Sequence, residues 1–340
     1  MVDRQRAATL VDVARLAGVS SAVVSYVVND GPRPVAPSTA DRVRDAIAAL
    51  SYRPNSHARA LSTGSTGILG LILPGTTNPL FGEYHDVLYQ TVSQAGIGLL
   101  TAGSGGSADT ERSLIDDLAR HNVDGIVAVS SMTRADVPGL RDPGLPLLFL
   151  NCPFPVPGYR TIGPNALDGS RRVVDHLLTS HGHSQVAFIA GETGSSEPDD
   201  RELGWREAHH AHARQPGPSI RRTFTLDGGY EATRTLLALP DRPSAIFASS
   251  DLQAYGALHA IRDQQLEIPG DVAVVSFDGT SESAHTWPPL TLVQQPLRAM
   301  SEAGIAGLLT RTPPAHTLID MKLIVRRSCG CQPDTQAVDR

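Results

Sequence analysis

The sequence predicts a small all-α domain at the N-terminus, followed by a larger α/β domain of two lobes with parallel sheets. Over residues 10–50, apolar side chains recur at the three- and four-residue spacing of helices. From Ile68 onward, short continuous apolar runs alternate with helical stretches, as in parallel sheets that helices cover on both faces. Two such series follow one another along the chain, which predicts two similar lobes.

Length and composition agree with this organisation. The chain has 340 residues, more than one typical domain, and its 41% hydrophobic and 19% charged residues are ordinary for a folded chain with a sizeable core. No stretch approaches the roughly 18 consecutive apolar residues of a membrane helix. Residues 1–6 are too polar for a signal peptide. We therefore expect a cytoplasmic protein with no membrane partner.

Charge is distributed unevenly between the two parts. The formal net charge is −6, yet residues 1–66 contain eight arginines and five aspartates, a net of +3, which leaves −9 for the remainder. A basic head on an acidic body favours a modular DNA-binding protein, because only the head would approach the phosphate backbone.

The first predicted helix has one apolar face and recognisable ends. Thr9 stands just ahead of that face as a candidate N-cap, with Asp12 three residues later, where its carboxylate can face the helix N-terminus. Gly18 supplies the permissive backbone that ends the helix and turns the chain. The apolar face consists of Leu10, Val13, Ala14 and Ala17.

A second helix begins at once, with Ser20 as its predicted N-cap, and a third follows a capping sequence at residues 38–41. Two helices joined by a tight glycine turn, the second with short side chains on its exposed first turn, form the layout of a helix-turn-helix. Each helix alone would equally fit a helical bundle without a DNA role; the compact spacing and the local basicity favour DNA binding. In the second helix, Ser21, Ala22, Ser25 and Tyr26 are predicted to face outward, and Val19, Val24, Val27 and Val28 to supply apolar contacts.

Residues 9–29, which contain TLVDVARLAGVS followed by VS and VVN, resemble the headpiece of the lactose-repressor (LacI/GalR) family. Residues 51–55, with Ala58 and Leu61 after them, resemble the hinge segment of that family. The resemblance extends over nearly the whole chain. It implies an N-terminal helix-turn-helix headpiece and a two-lobed core like that of periplasmic sugar-binding proteins, in which the chain crosses three times between the lobes.

The domain boundaries follow from the apolar pattern and the resemblance together. We expect a DNA-binding headpiece over 1–54, a hinge helix or linker over 55–66, and an effector-binding and dimerisation core over 67–340. In the core, the first lobe is expected at about 67–163 and 294–320, and the second at about 164–292 and 321–331. The predicted strands are 68–73, 97–101, 126–129, 147–150, 186–190, 245–248 and 272–277, and the predicted core helices are 81–94, 108–121, 167–179 and 296–309.

For DNA reading, the resemblance implies that the start of the second helix enters the major groove. Tyr26 stands where many family members carry an arginine that would bond guanine, which leaves the operator sequence open. The hinge would form a helix on DNA, with Leu61 wedged between base steps and Arg59 on a phosphate; on spacing alone, 55–66 could equally be a plain linker. The implied DNA-binding residues are Thr9, Leu10, Ser20, Ser21, Ala22, Ser25, Tyr26, Asn29, Tyr52, Asn55, Ala58, Arg59 and Leu61.

Effector binding is expected in the crevice at the carboxyl ends of the strands. The resemblance implies that Asp278 accepts hydrogen bonds from effector hydroxyls and that Arg201 donates to the effector, a pairing that suits a carbohydrate. After another strand, Ser250 is the favoured pocket residue, whereas Asp251 is expected only to cap the next helix. The other expected effector-binding residues are Pro79 and Phe81 at the rim of the first lobe, Asn151 and Gln295 as hydrogen-bonding groups, and Phe224 and Trp287 as stacking faces.

The three cysteines and twelve histidines predict neither a metal site nor a catalytic one. Cys329 and Cys331 are separated by one residue, too close for the usual zinc or redox pairs, and no partner motif accompanies them, so ordinary thiols are expected. His209, His210 and His212 are expected on the solvated face of a helix. No cofactor is expected.

These features predict a sequence-specific transcriptional regulator, a repressor, and not an enzyme. A solute-binding protein for transport would share the core but needs an export signal and no headpiece; an enzyme would show a nucleophile elbow, a metal-ligand cluster or a complete dinucleotide fingerprint. The expected partners are a roughly palindromic double-stranded DNA operator, a carbohydrate effector, and further copies of the chain in a homodimer or dimer of dimers. Whether the effector releases or strengthens DNA binding is left open.

Overall fold

The computed structural model of the protein describes residues 8–28, 33–52, 64–192 and 197–332. The chain divides into two compact units, Met1–Thr66 and Gly67–Arg340. The small unit is all-α and the large unit is α/β, as the sequence predicts, and each has its own hydrophobic core.

Three helices form the small unit, the headpiece: α1 (Leu10–Ala17), α2 (Ser21–Val28) and α3 (Pro37–Ala49). The Thr9 hydroxyl accepts a hydrogen bond from the Asp12 backbone N–H, and the Asp12 carboxylate accepts one from the Thr9 N–H at 2.9 Å, so the predicted cap is a complete capping box. Gly18 ends α1 in the left-handed region with φ 65°. The chain bends by 104° between α1 and α2, within the range of helix-turn-helix motifs.

The core of the headpiece lies where the three helices meet. Val13, Val24 and Val43 are fully buried there, one from each helix. The other predicted apolar contacts of α2, at Val19, Val27 and Val28, pack partly against the same core. Within the part of the chain that the structure describes, no single helix is long and apolar enough to cross a membrane, although the bent pair of α1 and α2 reaches that length and composition when taken together.

The predicted start of the third helix is wrong. The helix begins at Pro37, its N-cap residue is Ala36, and no side chain supplies a capping hydrogen bond. Proline fits the first helical position because its φ is already helical and the N–H that it lacks would have no partner there. The capping sequence at 38–41 therefore lies inside the helix.

The first lobe of the large unit is a six-stranded parallel sheet in the order β11-β5-β4-β3-β1-β2. Two helices pack on one face and a third on the other, each against a separate apolar cluster. The strands are β1 (Ile68–Leu73), β2 (Gly98–Gly103), β3 (Gly125–Val129), β4 (Leu147–Leu150), β5 (Arg160–Pro164) and β11 (His316–Ile319). The helices are α4 (Pro79–Ser93) and α10 (Leu297–Leu309) on one face, and α5 (Ala108–Arg120) on the other.

The second lobe repeats this plan with the order β12-β10-β9-β8-β6-β7, in which β12 alone among these strands is antiparallel to its neighbour. The strands are β6 (Ala187–Gly191), β7 (Ser219–Arg222), β8 (Ala245–Ala248), β9 (Ala273–Asp278), β10 (Thr291–Gln294) and β12 (Lys322–Ile324). The helices are α6 (Ala166–Ser180) and α7 (Asp200–Ala211) on one face, and α8 (Leu226–Leu237) and α9 (Asp251–Asp263) on the other.

The chain passes between the lobes three times: from β5 to α6, from β10 to α10, and from β11 to β12. Each passage leaves a sheet at the carboxyl end of a strand. The carboxyl edges of both sheets therefore lie beside these crossings, which is where ligands bind in folds of this kind.

Candidate DNA-binding surface and effector cleft

The first turn of α2 presents small side chains at the surface of the headpiece. Ser21 and Ala22 are exposed, whereas Ser25 and Tyr26 are half-buried. Ser20, just ahead of the helix, accepts a hydrogen bond from the Val23 backbone N–H at 3.4 Å. A helix with short leading side chains can approach base edges in the major groove closely.

Other residues expected at the DNA belong to the internal structure of the headpiece. Tyr52 is 9% exposed and packs in the headpiece core, so it is a packing residue rather than a groove-facing one. Thr9 is engaged in the capping box of α1, and Leu10 packs partly against the core. Asn29, Asn55, Ala58, Arg59 and Leu61 lie outside the described residues.

In the large unit, Asp278 ends β9 at the carboxyl edge of the second lobe, with φ 109°. Its side chain is buried. Carboxylate oxygen Oδ1 accepts a hydrogen bond from the Gln295 amide at 2.8 Å, and Oδ2 lies 3.4 Å from the backbone nitrogen of Asp251. A non-glycine residue is strained at this φ, and strain of this kind clusters at functional sites.

A second buried carboxylate, that of Asp251, lies beside Asp278. Burial, and then the neighbouring Asp251 charge, raises the pKa of Asp278 to about 8, and burial also raises the pKa of Asp251. Hydrogen bonds to Asp251 favour its charged form, so we assign the proton of the pair to Asp278. The donors to Asp251 are the Ser276 hydroxyl at 2.6 Å and the backbone N–H groups of Gly279 and Thr280 at 3.0 and 2.7 Å.

The roles expected of Ser250 and Asp251 are therefore reversed. Ser250 is the N-cap of α9: it is buried, and its hydroxyl oxygen accepts a hydrogen bond from the Gln253 N–H at 3.3 Å. Asp251, expected only to cap the helix, anchors the chain that follows Asp278 instead. Residues 249–251 offer three neighbouring capping-type side chains, and helix boundaries read from a pattern are uncertain by a residue or two.

Arg201, in the first turn of α7, is held beside these carboxylates. Its guanidinium pairs with Asp199 at 2.7 Å and donates a hydrogen bond to the Ser249 carbonyl at 3.0 Å. It also lies over the rings of Phe224 and Phe277, at 4.7 and 5.4 Å from their centroids. Burial opposes the charged form of Asp199, but the Arg201 charge together with hydrogen bonds from Arg201 and the Glu202 backbone outweighs it and lowers the pKa of that carboxyl. The guanidinium is thus fixed in place, with 20% of the side chain still exposed.

Phe224 closes over the end of β6. A Cβ added at Gly191 would lie 1.7 Å from Phe224 Cζ, so the ring occupies space that any other residue at 191 would fill. The ring is half-buried and stacks against Arg201. A flat apolar face therefore lies beside a fixed cation.

Hydrogen bonds connect the two lobes along two routes beside the cleft. Tyr84, on α4 of the first lobe, donates its hydroxyl hydrogen to Gln295 Oε1 at 3.1 Å, and the Gln295 amide donates to Asp278. The Glu83 carboxylate accepts a hydrogen bond from the Ser281 N–H of the second lobe at 2.7 Å. Tyr84 is fully buried; burial, followed by the Asp278 charge, raises its pKa. A single amide, that of Gln295, thus connects Tyr84 to Asp278.

Opposite charges also approach one another across the lobes. Arg134 follows β3 of the first lobe, and Asp200 is the first residue of α7 in the second. Burial and the Asp199 charge raise the pKa of Asp200, while Arg134 acts against them. His316, on β11, has its pKa lowered by burial and then by the Arg134 charge. Charge on one lobe therefore acts on titratable groups of the other.

The first-lobe residues expected at the site lie at the carboxyl edge of their own sheet. Pro79 is the first residue of α4, which Asn78 caps by accepting a hydrogen bond from Leu80 N–H at 3.0 Å. Phe81, two residues further along, is half-buried and packs partly against the core. Asn151 directly follows β4, in the left-handed region with φ 56°.

Trp287 does not lie at the cleft, and its expected stacking role is wrong. Because β9 and β10 are parallel, the chain must return to the amino edge of the sheet before β10 begins. Trp287 comes four residues before that start, is 69% exposed, and lines a surface cavity with Ile268 and Arg327.

The side chains of α7 divide between the core and the surface. Trp205 is a core residue: it is buried, and its indole N–H donates to the Val186 carbonyl at 2.8 Å. His209 is fully buried rather than solvated, with Nε2 accepting a hydrogen bond from the Val186 N–H at 3.0 Å and Nδ1 at 2.8 Å from the Trp205 carbonyl oxygen. His210 and His212 are exposed, as predicted.

Three polar residues of this region were missed in the sequence. Gln253 is fully buried, and its side-chain nitrogen donates to backbone carbonyls at the ends of β6 and β7, at 3.1–3.2 Å. Asp199 could have been found as the N-cap of α7, because acidic residues precede that helix. Tyr84 and Gln253 carry no such signal, since each lies inside a helix and not at a strand end or helix cap.

A helix-turn-helix headpiece attached to a two-lobed core with a polar cleft edge defines a ligand-responsive DNA-binding regulator. The sequence matches the family model for bacterial regulatory proteins of the lacI family over residues 9–55, and the periplasmic binding protein-like domain over 174–329. The HTH-type transcriptional repressor PurR of Photobacterium profundum is 29% identical, over 94% of this chain and 98% of that protein. The ribose operon repressor of Escherichia coli K12 is 30% identical, over 89% of this chain and 93% of that protein. The chain therefore belongs to the lacI family of bacterial regulatory proteins.

Solved structures of regulators are also similar to this chain over nearly its whole length. A crystal structure of the Lac repressor dimer bound to operator and the anti-inducer ONPF superimposes with a TM-score of 0.86, at 26% identity, over 95% of this chain and 99% of that one. A complex of the transcriptional regulator CelR with cellobiose gives a TM-score of 0.69, at 29% identity, over 94% of this chain and 99% of that one. The similarity spans headpiece and core together.

Proposed function

We propose that this chain is a transcriptional repressor that binds a roughly palindromic operator as a homodimer and responds to a carbohydrate held between its lobes. It acts on DNA in the cytoplasm and catalyses no reaction. The observation that carries the proposal is the convergence of Asp278, Arg201 and Phe224, which places a carboxylate, a guanidinium and an aromatic face at one strand edge. These are the groups that bind a polyol with an apolar ring face.

In this proposal, Asp278 accepts hydrogen bonds from ligand hydroxyls while Arg201 donates to a ligand oxygen. Phe224 packs against the apolar face of the sugar ring. Without ligand, Asp278 is protonated because it is buried beside Asp251. Hydroxyl donors favour the carboxylate form, so binding releases that proton. Pro79, Phe81 and Asn151 contribute the first-lobe side of the cleft.

The coupling to DNA runs through the contacts between the lobes. A ligand that engages Asp278 acts on Gln295, and through it on Tyr84 in the first lobe. The angle between the lobes then depends on effector occupancy. We propose residues 55–66, most of which lie outside the described residues, as the hinge that transmits this change to the headpiece. A coupling of roughly 1–3 kcal/mol would change operator affinity about 5- to 150-fold.

In the headpiece, Ser21, Ala22, Ser25 and Tyr26 read the major groove. The exposure of the first two supports this, since short side chains allow the helix to seat deeply. Leu61, in the hinge, acts as a minor-groove wedge.

Known relatives support both proposed partners, the operator DNA and the carbohydrate. The Lac repressor dimer was solved on its operator, and CelR was solved with cellobiose. The ribose operon repressor takes its name from a sugar operon. We extend operator binding, dimer formation and carbohydrate recognition to this chain on that similarity together with the side chains at the cleft.

The test uses the full-length protein and operator fragments selected from its own genome, with affinity followed by fluorescence anisotropy against salt. We expect sequence-preferring binding that weakens steeply with salt and changes on addition of a sugar. Asp278→Ala should keep operator affinity and lose the sugar response, with at least a tenfold weaker sugar Kd. Asp241→Ala, at an exposed loop aspartate of the same lobe, is the matched control. No salt-sensitive binding to any fragment would overturn the proposal.

A further inference from the structure

Four side chains outside the cleft bring their metal-ligating atoms together in the second lobe. His176 lies in the last turns of α6 and His181 is the C-cap residue of that helix. Cys329 ends a short 3-10 helix, Arg327–Cys329, and Cys331 follows two residues later. One ligand atom from each of the four lies within 4.8 Å of all the others.

The separations match the edges of a tetrahedral zinc site. With Zn–N of about 2.0–2.1 Å and Zn–S of about 2.3 Å, tetrahedral geometry places two nitrogens about 3.3 Å apart and a nitrogen and a sulfur about 3.6 Å apart. The two imidazole Nε2 atoms are 3.3 Å apart. Cys329 Sγ is 3.4 Å from His176 Nε2, and Cys331 Sγ is 3.5 Å and 3.3 Å from the Nε2 atoms of His176 and His181.

The backbone between the cysteines is shaped to bring both sulfurs to the same point. Gly330 has φ 106°, which an L side chain rarely adopts, and a Cβ there would lie 3.2 Å from His181 Nδ1. Ser328 fixes the preceding turn, because its hydroxyl donates to the Val274 carbonyl at 2.6 Å. The short Cys-Gly-Cys spacing, which seemed to rule out a metal pair in the sequence, therefore becomes usable once α6 supplies two histidines.

The surroundings suit the ligand forms that zinc requires. Zinc binds neutral imidazole and thiolate, and both histidines are half-buried, with the His181 Nε2 atom 3.3 Å from the His176 Nε2 atom and from Cys331 Sγ. The Thr291 hydroxyl lies 3.0 Å from Cys329 Sγ and can donate to it, as outer-shell donors do to zinc thiolates. Two thiolates would balance the charge of one divalent ion.

We propose that His176, His181, Cys329 and Cys331 bind one Zn²⁺ ion in a closed, structural site. Four protein ligands leave no open position for water or substrate, so the ion ties the C-terminal segment to the end of α6 and performs no chemistry. A tetrahedral set of two nitrogens and two sulfurs selects zinc over oxygen-preferring cations.

The test is metal analysis of the full-length protein, produced without a polyhistidine tag and purified in reducing buffer. We expect about one zinc ion per chain by inductively coupled plasma mass spectrometry. Removal with a strong chelator should lower the Tm, and added zinc should restore it. Reconstitution with cobalt should give the absorption bands of tetrahedral cobalt with thiolate ligands.

Cys331→Ser and His181→Gln should each lose the zinc and the cobalt spectrum, and chelator should no longer lower their Tm. His183→Gln and Cys152→Ala are matched controls that keep both signals, because His183 Nδ1 bonds the Ser244 hydroxyl at 2.8 Å and Cys152 is buried in the first lobe. The far-ultraviolet spectrum of each variant separates ligand loss from misfolding.

Three results would overturn the proposal. The wild-type protein could stay free of zinc after incubation with it, with both thiols reduced. Thiol counting could instead show Cys329 and Cys331 joined to each other. Elemental analysis could find copper rather than zinc, which would refute the identity of the ion.

Discussion

The two ends of the second lobe each gather titratable side chains but satisfy them differently. At the carboxyl end of the sheet, Asp278 is buried against a second carboxyl group and held at φ 109°. At the amino end, His176 and Cys329 meet as an imidazole and a thiol, and the positive φ beside them belongs to Gly330, which adopts it without strain. Backbone strain and crowded carboxyl groups are thus found at the carboxyl end, whereas the amino end is compatible with a single bound ion.

This difference indicates which end changes state. A ligand can relieve the carboxyl end by supplying donors to Asp278, so that end is suited to reversible binding. At the amino end, all four groups converge on one point and would be held by a permanent ligand. Effector-binding sites commonly lower the stability of the folded protein in this way, whereas structural metal sites raise it.

The buried carboxyl group of Asp278 should make the stability of the protein depend strongly on pH. The folded pKa of Asp278 is raised to about 8 from a usual value near 4. Between these values the folded chain holds a proton that the unfolded chain has lost, so the free energy of unfolding should fall as pH rises through that window and level off above it. We expect a contribution on the order of a few kcal/mol.

The measurement is urea unfolding of the ligand-free protein from pH 5 to pH 9, with Asp278→Asn as the comparison. The variant cannot titrate at this position, so the difference between the two curves isolates Asp278 from the buried histidines, whose lowered pKa values act in the opposite direction. The same variant should be at least as stable as wild type at pH 8. Parallel curves for the two proteins would show that the proton is not on Asp278.

A substitution at the end of β6 tests whether the position of Phe224 governs sugar binding. In Gly191→Ala the new methyl group collides with the Phe224 ring, which must leave its place over Arg201. Overpacking of this kind costs roughly 1–3 kcal/mol, so sugar binding should weaken about 5- to 150-fold by isothermal titration. Operator affinity without sugar should be unchanged.

Gly103→Ala is its matched control. Gly103 ends β2 in the first lobe as Gly191 ends β6 in the second, and a Cβ there meets nothing within 4 Å. The control should bind sugar as wild type does. Equal loss in both variants would mean that strand-end flexibility, and not the position of Phe224, governs binding.

The fold was largely predictable because its strongest signals are local. Continuous apolar runs predicted the central strands, such as β1 and β4, with their observed bounds. Five short strands were not predicted: the edge strands β7, β11 and β12 and the interior strands β5 and β10. Each mixes polar with apolar residues over three to five positions, as in Ser-Ile-Arg-Arg of β7 and Thr-Leu-Val-Gln of β10, so none forms a continuous apolar run.

The candidate sites were less predictable, for a physical reason. Asp278 was predicted because it follows a strand and matches a pocket residue of the family, and Arg201 was predicted from the family resemblance alone. Trp287 was misplaced because its position depends on the return path between two parallel strands. The grouping of His176 with Cys331 joins residues 155 apart in sequence, and no local pattern encodes such a pairing.

The hydrogen bond between Tyr84 and Gln295, which connects the lobes, should make a small contribution to stability and to the sugar response. In Tyr84→Phe the hydrogen bond to Gln295 is lost, and the amide oxygen is left without that donor in a buried place. Loss of one such bond costs roughly 0.5–1.5 kcal/mol, which should appear as a Tm lower by a few degrees. Because the same amide holds Asp278, the change in operator affinity on adding sugar should also shrink, by about two- to fivefold.

Tyr89→Phe, on an exposed ring of the same helix, should alter neither quantity. A Tyr84→Phe variant with reduced stability but an unchanged sugar response would confine Tyr84 to packing and leave the coupling to other contacts, such as that of Glu83 with Ser281.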